Sequence, residues 1–99
     1  MAVYLVLTYD VTDADAYAEY NPGSLGQIFP TVAKHGGEGG FGGHPEFLQG
    51  TEASTAVGLK FPDADAAKAW LADEDYAPYR AMREAATTNI NTFIVPAMG

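Results

Sequence analysis

Asp-Ala-Asp-Ala occurs twice in this chain of 99 residues, at positions 13–16 and again fifty positions later at 63–66. Each copy follows an apolar run, Val3 to Tyr9 before the first and Thr55 to Phe61 before the second. A short acidic side chain after a β-rich run suits the place where a strand ends and a helix begins. Its carboxylate accepts from the first free N–H groups of the helix and sits at the positive end of the helix dipole. The repetition divides the chain into two strand–helix–strand halves, and no other feature of the sequence constrains the fold as much.

Val3 to Tyr9 has almost no polar break and fits a central strand. Thr12 with Asp15 has the spacing of a capping box, and Ser24 with Gln27 offers another after Asn21-Pro22-Gly23 interrupts the helix. Leu25, Ile28, Phe29 and Val32 form one apolar stripe, which Pro30 is expected to kink. Lys34-His35 followed by Gly36-Gly37 is a helix stop. Positions 36–43 carry six glycines where a strand belongs by order, which weakens that strand. From Thr55 the alternation is clean: Thr55, Val57, Leu59 and Phe61 face one way, while Ser54, Ala56 and Gly58 leave the other side nearly bare. That bare side suits either close packing of a second copy or a small cavity lined by Tyr4, Val6 and Thr8. Asp63 is expected to cap the next helix, whose buried stripe is Ala66, Ala67, Trp70 and Leu71. Asp73-Glu74-Asp75 marks a break, Tyr76, Tyr79 and Arg83 share a helical face, and Thr88 to Val95 alternates as a last strand.

The order β-α-β-β-α-β predicts one α+β domain over residues 1–99, a ferredoxin-like fold with a four-stranded antiparallel sheet and its helices on one face. The other face of so small a domain cannot stay apolar in water. Two sheets packed face to face would cover it, giving a homodimer in the form of a dimeric α+β barrel.

Composition narrows the partners. The net charge is −8 with five Lys and Arg in all, which argues against a phosphate-binding surface and hence against nucleic acid. Without cysteine there is no thiolate catalysis, disulfide or thiolate metal site. No stretch approaches the roughly 18 apolar residues of a membrane span, and the first ten residues lack a basic n-region, so no membrane association and a cytoplasmic location are expected.

Several short features occur together: Asp15-Ala16-Tyr17 through Tyr20, Lys34-His35-Gly36-Gly37, Gly50, Phe61-Pro62-Asp63 before Ala66-Ala67, Glu74-Asp75-Tyr76 and Arg83. As an ordered set they resemble a bacterial domain-of-unknown-function family within the dimeric α+β barrel superfamily. The resemblance covers essentially the whole chain and implies the ferredoxin-like fold and a dimer. The wider superfamily includes cofactor-free quinol-type monooxygenases, muconolactone-isomerase-like proteins, haem-dependent relatives and effector-binding regulators, so fold alone does not select a reaction. The chain departs from the family pattern at Glu38, where a basic residue is usual, and at Gly39-Gly40, where bulky ones are.

Four residues carry the chemistry expected of the chain. Arg83 matches the family pattern and suits a carboxylate, enolate or phenolate, although a carboxylate of the first helix could equally pair with it; Arg80 has Glu84 one turn on. His35 has the proton affinity of a general base, and its place in a helix's last turn also suits a simple capping role. Tyr17 and Tyr20 would orient or protonate a ligand, or serve as core. His35, Glu38, His44 and Glu46 match no standard metal spacing, and no cofactor or metal is expected. The function that follows is a small-molecule-binding dimer with a pocket beneath the helices of each subunit, either a cofactor-independent isomerase or monooxygenase acting on a small enolisable or aromatic compound, or a non-catalytic ligand-binding or stress-associated protein.

Overall fold

In a computed structural model, which describes residues 1–98, the apolar runs become strands and the repeated acidic phrases become helix caps. The elements are β1 (Val3–Val11), α1 (Ala14–Tyr20), α2 (Leu25–Lys34), β2 (Glu38–Gly43), β3 (Thr55–Phe61), α3 (Ala64–Leu71), α4 (Ala77–Ala85) and β4 (Thr87–Pro96). The strands form one antiparallel sheet in the order β2-β3-β1-β4, the ferredoxin-like arrangement, with each helical half broken into two short helices.

The first aspartate of each repeated phrase does the capping. Asp13 Oδ1 accepts from the Ala16 N–H at 3.0 Å, and Asp63 Oδ1 accepts from the Ala66 N–H at 2.8 Å. This corrects the capping box expected at Thr12: Asp13, in extended backbone, is the N-cap of α1. Ser24 likewise makes no cap bond; its hydroxyl donates to the Glu19 carbonyl at 2.7 Å and ties the α1–α2 junction instead. Helix α2 is followed, after its C-cap His35, by Gly36 at φ +74°, in the left-handed region that glycine enters without strain.

Register follows side-chain alternation. Val3, Leu5, Leu7 and Tyr9 of β1 stand opposite Phe61, Leu59, Val57 and Thr55 of β3, all on the helix-covered face. Trp70 of α3 closes this core: its ring stacks on Tyr76 with centroids 4.0 Å apart, and its indole N–H donates to Thr31 Oγ1 on α2 at 3.0 Å. The opposite face carries Tyr4, Val6 and Thr8, flanked on β4 by Val95, Phe93 and Asn91 and on β3 by Lys60, Gly58 and Ala56. Phe41 of β2 lies beside Gly58, where a Cβ would overlap its ring, and contacts Tyr4 with centroids 5.9 Å apart. The bare position at Gly58 of β3 is thus filled by the Phe41 side chain of β2, and the alternative of a small cavity beside Tyr4, Val6 and Thr8 does not hold there. The glycine-rich segment does form a strand, paired to β3 with an irregularity between Gly39 and Phe41.

Candidate functional site

Burial of an arginine without a carboxylate is costly, because the ion loses water and gains no counter-charge. Arg83, on the inner face of α4, is only 2% exposed. Its Nε and Nη1 have no hydrogen-bond partner in the protein. No carboxylate of the first helix pairs with it, contrary to the sequence expectation; the guanidinium lies over the Tyr9 ring at 5.6 Å, a cation–π contact. Burial disfavours its charge, but the surrounding phenols of Tyr76, Tyr20 and Tyr9 outweigh that and hold its pKa above the ordinary value. It therefore remains a cation. Arg80, one turn earlier, behaves as a surface residue, 3.6 Å from Glu84 and donating to the Leu71 carbonyl.

Arg83 lines a cavity of about 470 Å³ between the helices and the inner face of the sheet. Apolar walls come from Leu7, Leu25, Ile28, Val57 and Leu59. Tyr9, Tyr17 and Tyr20 supply hydroxyls, and Gly39 and Gly42 of β2 present no side chain on the open flank. A cavity with an apolar wall and a few convergent polar groups is the usual form of a small-molecule site.

The tyrosines are ordered in pairs. The Tyr9 and Tyr17 hydroxyls are 2.6 Å apart, and those of Tyr20 and Tyr76 are 2.8 Å apart. The Asn21 amide donates to Tyr17 Oη at 3.4 Å. Burial first, then the neighbouring phenols, pushes Tyr9 and Tyr20 well above the ordinary phenol pKa, only partly offset by Arg83. These two phenols stay protonated and can donate hydrogen bonds to an anion, but neither acts as a base at neutral pH.

Of the four residues singled out in the sequence, the fold brings Arg83, Tyr17 and Tyr20 to this one cavity and leaves His35 elsewhere. His35 Nε2–H donates to Asp73 Oδ2 at 2.6 Å, and Lys34 Nζ lies 2.8 Å from the same oxygen. This cluster ties the end of α2 to the α3–α4 turn, where Asp73 also accepts from the Asp75 N–H. His44, exposed just after β2, does line the cavity, and sequence spacing gave no reason to place it on the same cavity as Arg83. Among the described residues, no three His, Asp or Glu side chains are grouped as metal ligands, and no helix is long and apolar enough to cross a membrane.

Solved structures share this architecture. A protein of unknown function from Rhodopseudomonas palustris matches with a TM-score of 0.77 at 16% identity, covering 99% of this chain and 83% of that one. A dimeric ferredoxin-like protein of unknown function from Jannaschia sp. CCS1 matches with a TM-score of 0.75 at 12% identity, covering 98% and 100% respectively. SnoaB, a cofactor-independent oxygenase from Streptomyces nogalater, matches with a TM-score of 0.65 at 17% identity, covering 99% and 94%. At these identities the likeness is one of fold. No curated protein matches the chain. The family model for the domain of unknown function DUF1330 spans residues 2–98, from β1 through β4 and so including Tyr9 and Arg83, and the chain belongs to that family.

Proposed function

We propose that this protein binds a small organic molecule with an apolar or aromatic body and one anionic or enolisable oxygen. The body lies along the Leu7, Ile28 and Val57 walls, and the oxygen accepts from Arg83, with Tyr17 and Tyr20 as further hydroxyl donors. One observation carries the reading: a buried arginine, two of whose guanidinium nitrogens lack protein partners, lines a largely apolar cavity. A charge-assisted hydrogen bond there works in a low-dielectric setting and selects strongly for an anion.

The functional unit is a homodimer. Phe41, Phe93 and Val95, which are 51%, 46% and 40% exposed, form with Tyr4 an apolar patch on the sheet face that carries no helix. A second copy would cover it, and the dimeric neighbours of the same fold support that arrangement. If the site is catalytic, cofactor-independent isomerisation or oxygenation suits its residues, since ligand positioning and anion stabilisation are what it offers. SnoaB lends that reading support at the level of fold. The persistently protonated phenols favour a second reading, in which the cavity senses its ligand without converting it.

The test uses 2-naphthoate and its neutral counterpart 2-naphthalenemethanol as probes, with affinities measured by calorimetry. The acid is expected to bind more tightly, and Arg83→Met to weaken it by about tenfold to a hundredfold while sparing the alcohol. Equal affinity for the two probes, or naphthoate binding that survives the substitution, would remove Arg83 from the site.

A further inference from the structure

The geometry points to His44 as a proton acceptor of the cavity, and hence to a ligand that arrives as a neutral weak acid, a phenol or an enol, and is ionised in place. This rests on the reading of the Arg83 cavity given above and narrows its ligand class.

His44 Nδ1 lies 2.6 Å from the Ser54 carbonyl oxygen. A carbonyl only accepts, so Nδ1 carries the hydrogen, and the neutral ring keeps its lone pair on Nε2. The Ser54 carbonyl is itself held. Ser54 N–H donates to Asp10 Oδ1 at 2.9 Å, its hydroxyl donates to the Tyr9 carbonyl at 3.3 Å, and the Val11 N–H donates to that hydroxyl at 3.0 Å. Asn89 Nδ2 donates to the other Asp10 oxygen at 3.4 Å. The chain from Asp10 through Ser54 thus fixes the tautomer of a histidine that lines the cavity. Ser54 is a positioning residue in this arrangement.

Among the described residues that line the cavity, His44 is the one imidazole and there is no carboxylate. Tyr9 and Tyr20 are held protonated, Arg83 is a cation, and His35 is engaged with Asp73 outside the cavity. The step balances without a co-reactant. The ligand O–H bond breaks, the proton passes to Nε2, and the electron pair stays on the ligand oxygen beside Arg83. Return of the proton to a different atom of the delocalised anion would complete a tautomerisation with no net change of charge or oxidation state.

The probe is 4-nitrophenol, whose phenolate alone is yellow. At about pH 7, where an ordinary imidazole is mostly neutral and the free probe is a mixture of phenol and phenolate, wild-type protein is expected to bind it wholly as yellow phenolate with almost no net proton release, as read by calorimetry in two buffers of different ionisation enthalpy. His44→Gln is expected to lower the bound phenolate fraction by about fivefold or more, and His35→Gln to leave it unchanged. Imidazole nitrogen NMR is expected to show hydrogen on Nδ1 of His44. Hydrogen on Nε2 instead, or His44→Gln matching wild type in colour and proton release while Arg83→Met still weakens naphthoate, would overturn the role of His44 and leave the cavity standing. If Arg83→Met affects neither probe, the cavity reading falls and this inference falls with it.

Discussion

Arg83 and Asp73 show two ways a charged side chain is accommodated in so small a domain. Asp73 is met by Lys34, His35 and the Asp75 N–H, and the first two of these chiefly hold its carboxyl well below the usual carboxylate range. A depressed folded-state value means the cluster stabilises the fold above the ordinary carboxylate pKa and loses that contribution as pH falls through and below about 4. Lys34, whose pKa is raised chiefly by its bonds to Asp73 and Asp75, gives the opposite limb and loses its contribution only in strong base. Asp73→Asn is therefore expected to flatten the fall in melting temperature between about pH 5 and pH 2. An acid limb as steep as that of wild type would show that the cluster contributes nothing to acid stability. Arg83 was legible in the sequence as a rare cation beside tyrosines in an acidic chain. His44 was not, because its partner is a backbone carbonyl ten residues on, and no side-chain pattern reports a carbonyl. The separation of His35 from the tyrosines was hidden for a similar reason: it depends on a contact with Asp73, 38 positions away.

At the scale of elements, most of the fold could be read directly. Strand alternation in β1 and β3, the stop at Gly36 and the repeated acidic caps are local rules, and local rules survive folding when neighbouring elements agree with them. Phe61 tests the core they define. It is almost wholly buried, packs on Trp70 with centroids 5.9 Å apart, and stands opposite Val3 in the sheet. Phe61→Ala is expected to cost about 3–5 kcal/mol by urea denaturation, and a loss below about 1 kcal/mol would place the core elsewhere. Strand β2 was the least legible element. Its glycines carry no pattern, and it exists because β3 offers a hydrogen-bonding edge and Phe41 finds the gap above Gly58. A pocket beneath the helices follows from the fold, but its glycine flank on β2 was not legible, since a volume left by missing side chains has no sequence signature of its own.

The whole molecule has one face buried under helices and one bare, and a 99-residue chain has few other ways to cover an apolar sheet. Phe93 lies on the bare face of edge strand β4, opposite Val6, with Phe41 three strands away on the other edge. Phe93→Glu would place a carboxylate in the proposed interface and is expected to weaken dimerisation by about thirtyfold or more, roughly 2 kcal/mol, by sedimentation over a concentration series. Wild-type protein that sediments as a monomer at every concentration, or a variant that assembles as well as wild type, would rule the face out. Strand β2 belongs to both sides of this picture. Its Phe41 side chain reaches the outer face, while Gly39 and Gly42 form part of the cavity's flank. It is a partition one peptide thick, with no side-chain padding of its own on the cavity side. Pressure from a second copy against Phe41 would pass straight to the wall that faces the ligand, so assembly and site would share a hinge rather than merely a scaffold.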